Sequence, residues 1–345
     1  MVLCLSLVSC LAVSNALADE GTYALDFLSL GVGARALGMG GAYAALADDA
    51  TAAYWNPAGL CDVPSRAFTA QHADLFQQGT DSLVARGLAQ HNYANVVLPF
   101  ENGAKIALSW TRVAVDDIPR VTFVDVNGDG VLGTFLDKNL NGKKDPDETY
   151  LDTPIIAEMF ANTDDAYSIS YARRLSESFS VGGSAKLVRQ ALYASTGTGF
   201  GVDLGATYRY GRYARIALVV QDATGTRVRW NTSTRPTFVR PANARLGVSG
   251  TFPFRHWLRL NGSADVDLGK TTRLSEADGA SRLHLGGELT LAHLVAFRIG
   301  SDAGHFTAGA GFRVPVRSAA FHVDYAFTTH PDLGDAQRLS MTGFF

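Results

Sequence analysis

From about position 66 to Phe345 the chain is a succession of runs of roughly nine to thirteen residues, in which apolar side chains alternate with polar or small ones. In one of them Phe200, Val202, Leu204, Ala206, Tyr208 and Tyr210 alternate with Gly201, Asp203, Gly205, Thr207 and Arg209. Neighbouring residues of a strand point to opposite faces, so a period of two sends these sets to opposite sides of a sheet. The runs Leu283 to Leu291 and Phe321 to Phe327 repeat the pattern, with His284, Glu288 and Asp324 on the polar face.

Turn signals predict strands at 66–74, 87–99, 103–115, 164–174, 179–192, 199–211, 213–222, 240–253, 257–268, 281–291, 294–302, 305–314, 319–328 and 337–345. The connections alternate between short turns, such as Glu101-Asn102-Gly103, Gly211-Arg212 and Ala292-His293, and longer segments such as 75–86, 116–163, 223–239 and 269–280. An even strand number with short turns at one end and long loops at the other is the layout of a bacterial outer-membrane barrel. A soluble β-sandwich alternates too. The barrel is preferred because the apolar residues are spread through every strand instead of being collected into core blocks.

The expected fold is therefore all-β, a 14-stranded antiparallel transmembrane β-barrel over 66–345. Closure keeps backbone groups from facing hydrocarbon unpaired, at several kcal/mol each. Tyr208, Tyr210, Tyr213, Phe254 and Trp257 fall near turns, where an aromatic girdle meets the membrane boundary. Charged residues, among them Lys105, Lys186, Asp203, Arg245, Asp267, Arg282, Glu288, Arg298, Asp324 and Arg338, fall on the inward parity. They form either networks that fill the lumen or a selectivity lining, since ionised groups facing lipid are costly.

A formal net charge of -3 gives no basic stripe for nucleic acid. Val2 to Val13 is mostly apolar and Ala16-Leu17-Ala18 precedes Asp19-Glu20, so residues 1–18 are expected to be a signal peptide; Leu7-Val8-Ser9-Cys10 offers a lipoprotein box as the other reading. Cleavage after Ala18 leaves Cys61 as the lone thiol, which cannot form an internal disulfide.

Residues 19–65 precede the first full strand. They contain Gly31-Val32-Gly33-Ala34-Arg35-Ala36-Leu37-Gly38-Met39-Gly40-Gly41-Ala42-Tyr43, then Ala47-Asp48-Asp49-Ala50-Thr51-Ala52-Ala53-Tyr54-Trp55-Asn56-Pro57-Ala58-Gly59-Leu60. These two linked motifs resemble the opening of the PorV/PorQ family, which is itself similar to FadL-type outer-membrane transporters. The resemblance implies a barrel whose N-terminal segment folds into the lumen as a plug, or hatch. Asp48 and Asp49 are placed to cap a short helix from Ala50 to about Tyr54, which Asn56-Pro57 then stops. Arg35, Asp48, Asp49 and Asn56 are candidates to pair with lumen charges, and Trp55 and Pro57 complete the motif. Gly31-Val32-Gly33 lacks the third glycine and the βαβ unit of a dinucleotide site.

The long outer loop, 116–163, carries two acidic strings. The second, Asp137 to Glu148, fits a twelve-residue calcium loop, with ligands from Asp137, Asn139, Asn141, the Lys143 carbonyl, Asp145 and bidentate Glu148, and with Gly142 at the sharp turn. The first has Asp125, Asn127 and Asp129, but Leu136 stands at its twelfth position. Hard oxygen donors at alternate positions suit Ca²⁺ in a structural role; a solvated acidic turn is the alternative. No His pair has zinc spacing and no G-x-S-x-G occurs, so no enzymatic activity is expected.

The partners implied are outer-membrane lipid and one of two classes of cargo. Likeness to PorV implies a component of type IX protein secretion, receiving secreted cargo proteins and passing them to surface-attachment machinery. Likeness to FadL implies entry of hydrophobic small molecules, which calls for an apolar lumen pocket. A plugged scaffold for envelope partners is the third class.

Overall fold

The computed structural model describes residues 25–345 apart from 65, 76–88, 129, 139–141, 145, 147, 269–282 and 330–334. The expected signal peptide and Arg282 lie outside the described residues. Its strands are β1 (Ala67–Leu75), β2 (Ala89–Pro99), β3 (Lys105–Val124), β4 (Thr153–Arg174), β5 (Phe179–Leu192), β6 (Ser195–Tyr210), β7 (Ala214–Gln221), β8 (Thr226–Trp230), β9 (Thr237–Arg240), β10 (Asn243–Arg255), β11 (Leu258–Asp267), β12 (Leu283–Leu291), β13 (Val295–Asp302), β14 (His305–Val316), β15 (Ala319–Thr328) and β16 (Ala336–Phe344).

Every pairing is antiparallel, and β1 meets β16 with Gln71 opposite Ser340, which closes the sheet on itself. β8 continues the line of β7 along β6, and β9 that of β10, so the ring is a closed barrel of fourteen staves. The alternation sorts as the period of two requires. Phe200, Leu204 and Tyr208 are exposed on the outside, whereas Asp203 and Thr207 are buried within. Tyr208, Tyr210, Tyr213, Phe254 and Trp257 are all exposed near the short turns, as a girdle needs. Among the described residues no helix is long and apolar enough to cross a membrane; a closed barrel with its apolar face outward is the form in which strands cross one.

Two expected loops contain strand. The long loop shrinks to 125–152, because β3 and β4 stay paired up to Val124 opposite Thr153. There they outrun β2, whose last partner on β3 is Ala114, and β5, whose last partner on β4 is Asn162, so a hairpin stands above the rim. An irregularity between Val115 and Ile118, with Asp117 at φ 56°, shifts the side-chain phase and hides this continuation in the sequence. The segment 223–239 holds β8 and β9. Here Asp222 at φ 52° and Gly225 at φ 67° interrupt the alternation that Val228 and Trp230 resume.

The N-terminal segment runs across the interior. A 3-10 turn (Asp26–Ser29) leads to helix α1 (Ala34–Gly38), helix α2 (Ala52–Trp55) and a second 3-10 turn (Pro57–Asp62). α1 packs on β14 and β15, while Pro57–Asp62 packs on β4, β5 and β6 across the ring. Val32, Met39, Tyr43 and Leu60 are fully buried between these walls.

Candidate functional site

Arg35, presented by α1, forks onto Glu288 of β12 through Nε and Nη2, both at 2.9 Å, and its Nη1 donates to Asp48 at 2.6 Å. Burial works against the Arg35 charge, but the carboxylates of Asp48 and Glu288 outweigh it and hold the guanidinium's pKa well above its usual value. Asp49 accepts from the Tyr43 hydroxyl at 2.6 Å and from the Thr51 amide at 2.9 Å. Burial, only partly opposed by Arg35, pushes the Tyr43 phenol up, so it stays a donor to Asp49. Of the two aspartates expected at the helix start, Asp49 does accept from the Thr51 amide there, and Asp48 does not. α2 begins at Ala52, its N-cap Thr51 makes no side-chain cap bond, and Asp48 is drawn to Arg35 instead.

Asn56 uses its whole amide. Nδ2 donates to the Ala44 carbonyl at 2.7 Å and to Thr207 Oγ1 at 2.9 Å, and Oδ1 accepts from the Ala58 amide at 3.0 Å, with Pro57 opening the second 3-10 turn. Trp55 Nε1 donates to the Val32 carbonyl at 2.8 Å, and the Arg245 guanidinium lies over its ring. The segment reaches the wall through wall glycines. A Cβ at Gly182 would lie 2.5 Å from the Pro57 carbonyl carbon, and Gly286 and Gly300 leave the same room for Met39 and Gly40.

Three of the networks that the inward charges form centre on Glu288, Asp267 and Asp222. Glu288 also accepts from Arg298 at 2.7 Å, and Arg298 reaches Asp324. Asp267 takes Arg245 Nε at 2.6 Å and faces His284, whose other nitrogen is 2.9 Å from Asp302. Asp222 gathers Lys186, Arg240 and Thr226 beside the break after β7. Ser263, His284 and Asp324, the types a hydrolase would need, sit in separate contacts: Ser263 donates to the Val248 carbonyl, His284 faces Asp267 and Asp302, and Asp324 takes Arg298.

The inward parity also carries a patch that the charge pattern concealed. Val188, Val228 and Ala166, with Val113 and Trp230 packed against them, form an apolar area on the inner wall, and Leu25, Phe27 and Leu28 of the N-terminal segment lie on it. Beside it Leu75, Ala73 and Ala89 pack with Leu30, Val113 and Val115. The signal was the pair Val113 and Val115 at inward parity on β3. Asp26 borders this area, and burial, partly offset by Arg240, pushes its carboxyl up to about 6.

In the outer loop Asp125 accepts from the amides of Gly128 and Gly130, Asp137 from that of Gly142, and Glu148 from that of Lys138 at 2.7 Å. Asn127 bonds to Thr134, and Lys143 follows Gly142 in the second string. Asp129, Asn139, Asn141 and Asp145 lie outside the described residues. Among the described residues no three His, Cys, Asp or Glu side chains gather as a metal site.

No protein-family model and no curated protein matches this sequence. Solved structures do match. The Pseudomonas putida toluene transporter TodX shares 11% identity over 91% of this chain and 97% of its own, with a TM-score of 0.54. The Ralstonia pickettii toluene transporter TbuX shares 14% over 91% and 97%, at 0.52. A Pseudomonas aeruginosa FadL homologue aligns more loosely, with 12% over 88% and 95%, at 0.45. These identities make the likeness one of fold. By their names the first two are toluene transporters and the third is a FadL homologue. The narrower likeness to PorV/PorQ rests on the N-terminal motifs alone.

Proposed function

We propose that the barrel passes small hydrophobic molecules across the outer membrane, with residues 19–65 as its hatch. The observation that carries this reading is the apolar inner wall at Val113, Val188, Val228 and Trp230, because a barrel lumen is otherwise polar. Leu25, Phe27 and Leu28 cover it as a bound molecule would. Displacing them re-exposes surface worth about 1.5–3 kcal/mol per large apolar side chain, a cost that an incoming hydrophobic molecule offsets by covering the same wall. The wall break at 222–225 lies beside Val228, and a shift of the hatch opens the way onward. TodX and TbuX, named as toluene transporters, share the fold and support the reading. The secretion role implied by the N-terminal motifs has no comparable support in the lumen.

Uptake of toluene by cells that depend on this barrel is the test. Val188→Asp is expected to slow it about tenfold, the effect of roughly 1.4 kcal/mol, by setting a carboxylate in the apolar wall. Uptake unchanged by deletion of the whole barrel, together with loss of exported proteins from the cell surface, would replace this reading with the secretion role.

For the outer loop we propose a structural Ca²⁺ held by Asp137, Asn139, Asn141, the Lys143 carbonyl, Asp145 and Glu148. The bond from the Lys138 amide to Glu148 joins the second and last residues of the twelve and so brings Glu148 back to the start of the loop, as a shared ion requires. The first string, with Asp125, Asn127 and Asp129, supplies a weaker set. Isothermal titration is expected to show Ca²⁺ binding that Glu148→Gln weakens at least tenfold; equal titrations of the two proteins would remove the claim.

A further inference from the structure

We propose that the short-turn mouth of the barrel, the periplasmic end in bacterial outer-membrane barrels, binds a phosphate-bearing anion. A cavity of about 580 Å³ opens there, and the charged side chains lining it are Lys105, Arg174, Arg209, Arg212, Arg215 and Asp62. Three guanidiniums converge on the single carboxylate. Arg174 lies 2.7 Å from Asp62 Oδ1, Arg209 binds the same oxygen, and Arg215 lies 3.3 Å from Oδ2. Asp62 is itself buried, with a side-chain exposure of 7%.

One carboxylate balances one of these cations. Like charges held together in a partly desolvated site repel, and a fixed excess of one sign calls for a counter-charge. Arg215 Nη1, the atom that faces Asp62 Oδ2 at 3.3 Å, is buried and pairs with it by charge without a hydrogen bond. Arg255, Arg259 and Arg313 stand at the same end of the barrel and extend the positive field toward an approaching anion. Guanidinium forks match the several oxygens of a phosphate, which accepts from two or three of them at once and carries up to two charges. The cavity volume lies in the range of small-molecule sites. Two sources have this chemistry: the headgroup of an anionic phospholipid in the inner leaflet, and a soluble phosphate compound of the periplasm. This site lies at the opposite end of the lumen from the apolar wall and does not depend on the transport reading.

The test is titration of the whole barrel, in phosphatidylcholine nanodiscs at fixed ionic strength in chloride, with inorganic pyrophosphate. Saturable binding is expected, weakened at least tenfold in Arg209→Gln/Arg215→Gln and several-fold in Arg212→Gln, and tightened in Asp62→Asn, which removes the competing carboxylate. Among the described residues Arg212 is in no ion pair, so its variant keeps the question answerable if the others fail to fold. Weaker apparent pyrophosphate binding in phosphatidylglycerol nanodiscs assigns the site to a lipid headgroup, and unchanged binding there assigns it to a soluble phosphate; both support the site. Absence of binding, or equal binding by wild type and Arg212→Gln, would overturn it.

Discussion

Glu288→Ala is expected to destabilise the protein by about 3–5 kcal/mol, the usual magnitude when one partner of a buried ion pair is removed and the other stays behind. Glu288 is central to the contact between the N-terminal segment and the wall. It takes the fork of Arg35 from α1, Arg298 from β13 and the amide of Asn261 from β11. Its removal takes one carboxylate from each of two buried guanidiniums, one on each side of the interface, and leaves Arg35 with Asp48 and Arg298 with Asp324. The N-terminal segment should become a substrate for added protease, and denaturant unfolding should shift by the stated amount. Glu288→Gln keeps the shape and should recover only the bond from Asn261. If Glu288→Ala were as stable and as protease-resistant as Thr290→Ala on the same face nearer the mouth, the pair would not hold the segment.

Gly182→Val is expected to be nearly as severe and to act through shape alone. Its new Cβ would stand 2.5 Å from the Pro57 carbonyl carbon and 2.6 Å from the Ala58 nitrogen, backbone atoms that no rotamer change can move. Overpacking of this kind costs about 1–3 kcal/mol when the surroundings adapt, and here the adaptation available is withdrawal of Pro57–Asp62 from β5. Entry of a large polar antibiotic into expressing cells should therefore rise. Gly262→Ala is the control, since a Cβ there meets nothing within 4 Å. Equal antibiotic entry in the two variants, with both barrels folded, would show that the segment does not seal the lumen through this contact.

Most stave positions were legible because the signal is local. At β15 the predicted limits coincide with those observed, and at most of the others they move by a few residues. The N-terminal contacts were legible only as candidates. Arg35, Asp48, Asp49 and Asn56 do pair, but Asp48 turns to Arg35 and not to the helix end, a choice set by Glu288, a residue 253 positions from Arg35. The apolar inner wall was not legible because its members come from β3, β4, β5 and β8, each contributing one or two residues amid small or polar ones.

By itself, then, the sequence determined the alternation, and with it which side chains face lipid and which face the lumen, because a period of two is a property of each strand alone. Closure of the ring decided the rest. Which inward charge meets which depends on the register around all fourteen staves and on the segment laid across them, and so do the breaks after β7 and before β10 and the gathering of valines under Leu28. Those contacts join residues far apart in the chain, and no short-range pattern encodes them.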